Sequence, residues 1–358
     1  MKTPRDNLLG LLKRQGYEWV PCEFALCQSL EEKFHTIEKT EQDYMQYFQM
    51  PWKRLPALIP DNDDRGRFLV YHNPTNHITL QELDEWGVGH RATPTSMHMT
   101  QMYCPLRDVD SEEIIKNYPL PTYSKTGNPH LREQAEILHK SGLASVGNMQ
   151  CTVWETAWYI RGMEPLMMDM MCEEECAEIL LDRITEMSIQ RAQLYSDAGV
   201  DILYLGDDIG MQQSLMMSEE LYTTWIKPRL KKVIDAAKTI KPDIIVFYHS
   251  CGFMEPLIPH LIEAGIDVLN PVQPECMDFE KIHKTYGDKI AFHGTIGTQS
   301  TMPFGTPEDV KQAVWKNLDI AGEKGGLFVA PTHLLEPETP WENIRAYVEA
   351  CKKYRHNT

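Results

Sequence analysis

Three stretches decide the fold: "DIIVFYHSCG" (243–252), "GIDVLNPVQ" (265–273) and "DKIAFHGTIG" (288–297). Each opens on β-branched and aromatic residues and closes on polar ones, and each begins about 23 residues after the one before it. That interval holds one strand and one helix, with no room for more. Strands joined by single helical crossovers run parallel.

The same alternation continues on both sides. Upstream, "ASVGNM" (144–149) reads as a strand before a helix over about 173–198. "VDILYLGDD" (200–208) precedes a helix opening at Ser218, with Glu219 and Glu220 in its first turn. Helices are expected near 256–264 and 278–286. Another is capped by "TPED" (306–309) and, after the strand "GGLFVAPTH" (325–333), a last one starts at "TPWENI" (339–344). In the last two, Thr reads as the N-cap and Pro as the first helical residue. "VPCEFAL" (20–26) and "RFLVYH" (67–72) would add two strands and complete a (β/α)8 barrel, an α/β TIM barrel with N-terminal helical and loop decoration. No strand is followed by a Gly-rich phosphate loop, which disfavours an open doubly wound sheet. The expectation is a single barrel domain over 1–358, with 27–143 contributing insertions near its mouth.

Composition limits the function classes. The 358 residues carry a formal charge of −17, which argues against nucleic acid and anionic membranes as partners. No apolar run approaches the ~20 residues of a membrane span, and the opening "MKTPRDNLLGLLKRQ" lacks signal-peptide character. Nine cysteines without a CxxC pair suit a reducing compartment. A cytoplasmic protein is expected; a homo-oligomer is left open.

In a barrel of this kind the chemistry sits at the C-terminal ends of the strands. Those ends present Asn148 and Gln150, Asp207 and Asp208, His249 and Cys251, Asn270 and Gln273, His293, and His333. So much polar chemistry on strand ends points to an enzyme. His249 and Cys251 stand two residues apart and so face the same way. Imidazole and thiolate are donors that zinc prefers. A third ligand must come from another strand, and His333 is the candidate. The plainer reading is two satisfied core residues.

The segment from "GDDIGMQ" (206–212) onward resembles the uroporphyrinogen decarboxylase superfamily, and within it the zinc- and corrinoid-dependent methyltransferases. "FYHSCG", "GIDVLNPVQ", "DKIAFHGTIGTQ", "MPFGTPEDV" and "GGLFVAPTHLLEPETPWENI" carry the resemblance, with weaker similarity in "LDEWGVGHR" (83–91) and "TPRDNLLGLLKRQ" (3–15). The resemblance implies a (β/α)8 barrel and Zn2+ held by His249 and Cys251. Where methyltransferases of the coenzyme M type place a second cysteine, "VAPTHLLEPETP" (329–340) places His333. One thiolate and two imidazoles would leave the ion a formal +1 charge, a stronger Lewis acid than two thiolates would allow. The implied function is transfer of a methyl group from an O-methylated small molecule, aromatic methyl ethers among the candidates, to the Co(I) corrinoid of a separate corrinoid protein, the first step of O-demethylation. Three alternatives stand beside it: transfer between a methyl-corrinoid and a thiol, metal-free decarboxylation, and non-catalytic tetrapyrrole binding. The lack of arginines at the expected strand ends weighs against decarboxylation.

The remaining candidates have two readings each. Asp207 and Asp208 could orient a phenol hydroxyl, act as general base, or supply a fourth zinc ligand; otherwise they form a cap or a solvated turn. His293 could protonate the leaving oxygen, or be a buried histidine bonded to a neighbouring strand end. Asn270 and Gln273 read as substrate hydrogen-bonders. Glu155 is either a carboxylate supporting a ligand or a helix N-terminal acid. Trp154, Trp158, Tyr159 and Trp86 could line an apolar pocket or belong to the core.

Overall fold

The structure is a computed structural model that describes residues 2–92 and 100–355. Seven parallel strands form one curled sheet. In chain order, with an antiparallel hairpin (β2, β3) between the first and second of them, the strands are β1 (Trp52–Arg54), β2 (Gly89–Ala92), β3 (Thr100–Tyr103), β4 (Ala144–Gln150), β5 (Ile202–Gly206), β6 (Ile245–His249), β7 (Val268–Asn270), β8 (Ala291–Ile296) and β9 (Leu327–Pro331). The sheet order is β1-β4-β5-β6-β7-β8-β9. Beside the chain that leaves β9 runs the segment 20–26, joined to it by a parallel bridge between Leu26 and Leu335, four residues past the end of β9. The Tyr347 hydroxyl donates to the carbonyls of Glu23 and Val329, tying that segment to β9. The architecture is an α/β barrel.

Two strand expectations need correction. "RFLVYH" lies within and just after a 3-10 helix (Arg65–Tyr71), and "VPCEFAL" occupies the first barrel position as extended chain. Three strands are absent from the sequence reading, β1 of the barrel sheet and β2 and β3 of the hairpin. The helices fall as expected: Glu175–Ala198, Ile258–Ala264, Phe279–Tyr286, and Pro307–Ala321 with Thr306 and Asp309 in a capping box. The last begins at Trp341 with Pro340 as N-cap, one residue later than expected. The helix opening at Ser218 passes through a π-helical turn (Tyr222–Ile226) before continuing as Lys227–Ile240.

The strands are apolar on both faces because both faces are covered. Leu203, Leu205, Val246, Tyr248, Leu269, Phe292 and Val329 are buried toward the surrounding helices. Trp52, Val146, Ile202, Tyr204, Ile245, Phe247, Val268, Ala291 and Phe328 fill the interior, closed at one end by Leu8, Leu11 and Leu12 of the helix Pro4–Leu12. The indole of Trp52 meets the rings of Phe247 and Phe328 at 5.5 and 5.3 Å. The polar strand ends lie above this packed floor.

Asp201 fastens the floor. Its carboxylate accepts from Arg5 Nη2 at 2.6 Å and Nε at 2.9 Å, and from the Ser145 amide at 3.0 Å, with His139 Nε2 at 3.0 Å. Burial pushes its pKa up, but these donors outweigh burial and hold it below the ordinary value. Asp201→Ala should cost about 2–3 kcal/mol, less than a fully buried pair because Arg5 is partly exposed. A depressed folded-state pKa contributes stability that is fully present above the unfolded carboxylate range and is lost as pH falls from there through the lower folded-state value. Acid unfolding curves of the wild type and the variant should therefore converge at low pH and separate toward neutrality.

Candidate metal centre

Two loops build the site, one after β5 and one after β6. Met211 and Phe253 form an antiparallel bridge between them. Gly210 and Gly252 let the backbones approach: a Cβ on Gly210 would lie 2.6 Å from the Cys251 carbonyl oxygen, and one on Gly252 2.6 Å from that of Met211. Gly252 also sits at φ +84°, where side chains are strained. This contact brings Asp208 to the Cys251 backbone, whose N–H donates to Asp208 Oδ1 at 2.7 Å. His249 Nε2 then lies 3.5 Å from Cys251 Sγ and 3.7 Å from Asp208 Oδ1.

Asp208, His249 and Cys251 thus offer one ligand atom each, all within 4.8 Å of one another. The strand ends and the resemblance put His333 forward as the third ligand and Asp208 as a fourth; in the folded chain Asp208 is the residue that joins His249 and Cys251 in the cluster. His333 lies two residues past the end of β9 and lines, with Cys251 and Gln273, a cavity of about 410 Å³. Its ring is not one of the three in the cluster, yet it stands near enough to His249 for its charge to lower that imidazole's pKa.

The chemistry of the donor set fits a zinc-like ion. Burial lowers the pKa of His249, leaving a neutral imidazole, the form that ligates. Burial, then the charges of Asp208 and Glu155, push the Cys251 thiol up, so a nearby cation is what would favour its thiolate.

Behind His249 the hydrogen bonds run in one direction. His249 Nδ1 lies 2.5 Å from Asn270 Oδ1, and the Tyr204 hydroxyl donates to that same oxygen at 3.2 Å. Asn270 Nδ2 donates to His293 Nδ1 at 2.6 Å, and His293 Nε2 donates to Glu23 Oε2 at 3.1 Å. Since the amide oxygen only accepts, His249 carries its proton on Nδ1 and turns the Nε2 lone pair toward the cluster.

These bonds assign several expected site residues to support. Both nitrogens of His293 are engaged inside the barrel, by Asn270 and Glu23, which is the arrangement of the plainer reading. Asn270 uses both ends of its amide on the two imidazoles. Asp207 is fully buried and accepts from the backbone amides of Thr152, Val153 and Glu155, at the N-terminus of the helix Trp154–Arg161. Burial raises its pKa to about 7 against those amides, most of which point to Oδ1. Trp154 is fully buried in the core, its indole N–H on Met216 Sδ. Gln273 lines the cavity while its Oε1 accepts from the Gly252 amide. Glu155 stands beside Asp208, held by the Tyr159 hydroxyl at 3.2 Å; burial, then Asp207 and Asp208, raise its pKa to about 8.

Sequence reasoning missed Glu23 and Tyr204. A lone charge inside the apolar run "VPCEFAL" is the signal that could have found the first. Tyr204 reads as ordinary strand filling.

Two measurements follow. In equilibrium zinc titrations Asp208→Ala should lose tight binding, whereas His333→Ala should keep it. Asn270→Leu should weaken zinc about 10–100-fold, because it frees His249 to turn, and should also lower stability by about 1–3 kcal/mol, because it leaves buried imidazole nitrogens without a partner.

The profile of the family "Uroporphyrinogen decarboxylase (URO-D)" matches residues 105–354. The methylated-thiol–coenzyme M methyltransferase of Methanosarcina mazei is 28% identical over 207 residues, covering 55% of this chain and 50% of that protein. The methylcobamide:CoM methyltransferase MtbA of Methanosarcina acetivorans is 25% identical over 362 residues, 99% of each chain. The uroporphyrinogen decarboxylase of Chlorobium phaeobacteroides is 24% identical over 186 residues, 51% of this chain and 50% of that one. The chain spans about half the length of the first two curated relatives it matches. In three dimensions, a methyltransferase from Methanosarcina mazei superposes with a TM-score of 0.68 at 18% identity, covering 98% of both chains, which establishes a shared fold. The chain belongs to the uroporphyrinogen decarboxylase family.

Proposed function

We propose that this chain is a zinc-dependent methyltransferase that takes a methyl group from an O-methylated small molecule and passes it to the Co(I) corrinoid of a separate corrinoid protein. The observation that carries the reading is the Asp208–His249–Cys251 cluster at the barrel mouth. A metal-free decarboxylase has no use for a thiol and an imidazole converging with a carboxylate. The names of relatives that match over part or all of the chain, methylcobamide:CoM methyltransferases among them, support methyl transfer and a corrinoid partner.

The donor set bears on the substrate. With Asp208 in place of His333, the formal charge left on a divalent zinc is zero rather than +1. The cluster nevertheless contains a single cysteine. A carboxylate oxygen is a harder and weaker electron donor than a second thiolate, so the site stays the more Lewis-acidic of the two. A zinc ion there would supply polarisation of an ether oxygen, the help that a poor alkoxide or phenolate leaving group needs. The chain's own residues prepare that position. Asn270 orients His249, the Cys251 amide holds Asp208, and Glu155 stands beside the cluster with its pKa raised by burial.

Transfer to a thiol is the second reading, supported by the coenzyme M named in those relatives. One experiment separates the two. Protein carrying about one zinc per chain is mixed with a Co(I) corrinoid protein and a methoxy-aromatic compound, and the demethylated phenol and methyl-corrinoid are quantified. Formation of both, abolished in Cys251→Ala, is expected. Methyl transfer from methyl-corrinoid to a thiol, with no ether cleavage, would favour the second reading. Zinc-free protein with full activity would sink both.

A further inference from the structure

A second cavity, of about 480 Å³, lies between the loop that follows β7, the end of β8 and the helix Pro307–Ala321. It shares no lining residue with the cavity beside the metal cluster. Two of its lining residues carry polar atoms that are buried without a hydrogen-bond partner, Glu275 Oε2 and Thr295 Oγ1. Buried polar atoms are costly unless something completes them.

Thr295 is 3% exposed, and its backbone stands at φ +86°, where a β-branched residue is strained. Asn317 Nδ2, from across the cavity, donates to its carbonyl at 3.2 Å and holds it there. Glycine would relieve the strain and bury no hydroxyl. The hydroxyl is what threonine adds at this position.

Glu275 is satisfied on one oxygen only. Its Oε1 accepts from Ser300 Oγ at 2.6 Å and from the Gln299 amide at 3.3 Å, and a Cβ on Gly297 would collide with it. The carboxylate is therefore fixed with Oε2 left to accept. No lysine, arginine or histidine among the described residues pairs with it. Glu275, Asp278 and Glu280 line the cavity against a single lysine, the exposed Lys316. Asp278 is already engaged, capping the helix Phe279–Tyr286. The lining is anionic, and its two unsatisfied atoms are both oxygens.

That chemistry selects a cation that carries its own hydrogen-bond donors. A primary ammonium group has three N–H bonds and one charge. Calcium or magnesium would take six or more oxygens in close array, and the described acidic residues here do not converge as a metal cluster does. The volume exceeds that of an ammonium group, and Phe279 and Ile320 in the lining offer apolar surface to a short carbon chain.

We propose that this cavity binds a small primary amine as its ammonium ion, which donates to Glu275 Oε2 and Thr295 Oγ1 and lays its chain along Phe279 and Ile320. The site is separate from the metal cluster and does not depend on the methyltransferase reading.

The test is a ligand-observed NMR titration of the purified protein with n-propylammonium and with N,N,N-trimethylpropylammonium at equal ionic strength. The two ions share charge and chain, and only the first has N–H donors. Propylammonium should bind about tenfold tighter or more than the trimethylated ion. Its affinity should fall about tenfold in Glu275→Gln and in Thr295→Val, two changes that keep side-chain shape; circular dichroism checks that each variant is folded. Cys251→Ala should bind it as the unaltered protein does, because the two cavities have no residue in common. No binding of propylammonium, equal binding of the two ions, or an affinity unchanged in either cavity variant would overturn the proposal. Loss of binding in Cys251→Ala would place the amine at the metal centre and overturn it as well.

Discussion

The amide of Asn270 is the constraint on which the site depends. It stands at the end of β7, in lateral register with His249 on β6. An amide has an accepting end and a donating end, and here each meets an imidazole. Neither ring can exchange its tautomer without losing a bond in a buried, weakly screened interior. The parallel sheet puts these groups on the same rim. The hydrogen bonds then decide which nitrogen of His249 faces the cavity.

The two adjacent aspartates show how one peptide unit separates structure from chemistry. Asp207 turns inward onto the first turn of a helix, where backbone amides complete it. Asp208 turns outward onto a single amide and stays available at the rim. They are identical in kind and one residue apart. Their neighbours separate them, through the backbone approach that Gly210 and Gly252 permit.

The parallel strands of the second half were legible because their apolar runs are long and their spacing leaves a single topology. The start of the barrel was not. β1 is three residues long, too short for a period to show, and the segment at 20–26 holds its place through Tyr347 and one bridge rather than a full ladder. The missing strand hid Arg54, so the apparent lack of arginine at strand ends was an error of register. His249 and Cys251 were readable as a pair because both lie on one strand and the loop after it. The convergence of Asp208 depends on a contact between two loops, which no pattern within either loop encodes. The support role of His293 likewise depends on Glu23, some 270 positions away.

The floor of the barrel has one more consequence. Leu8, Leu11, Leu12, Trp52 and Phe328 pack that end with apolar side chains, and the cluster stands at the other. The vessel is stoppered, so reagents and products share one doorway. A small molecule seated at the cluster lies beneath whatever next covers the rim, and a large partner resting there shuts in anything below it. Under such geometry the order of arrivals and departures is a property of the architecture before it is a property of any rate.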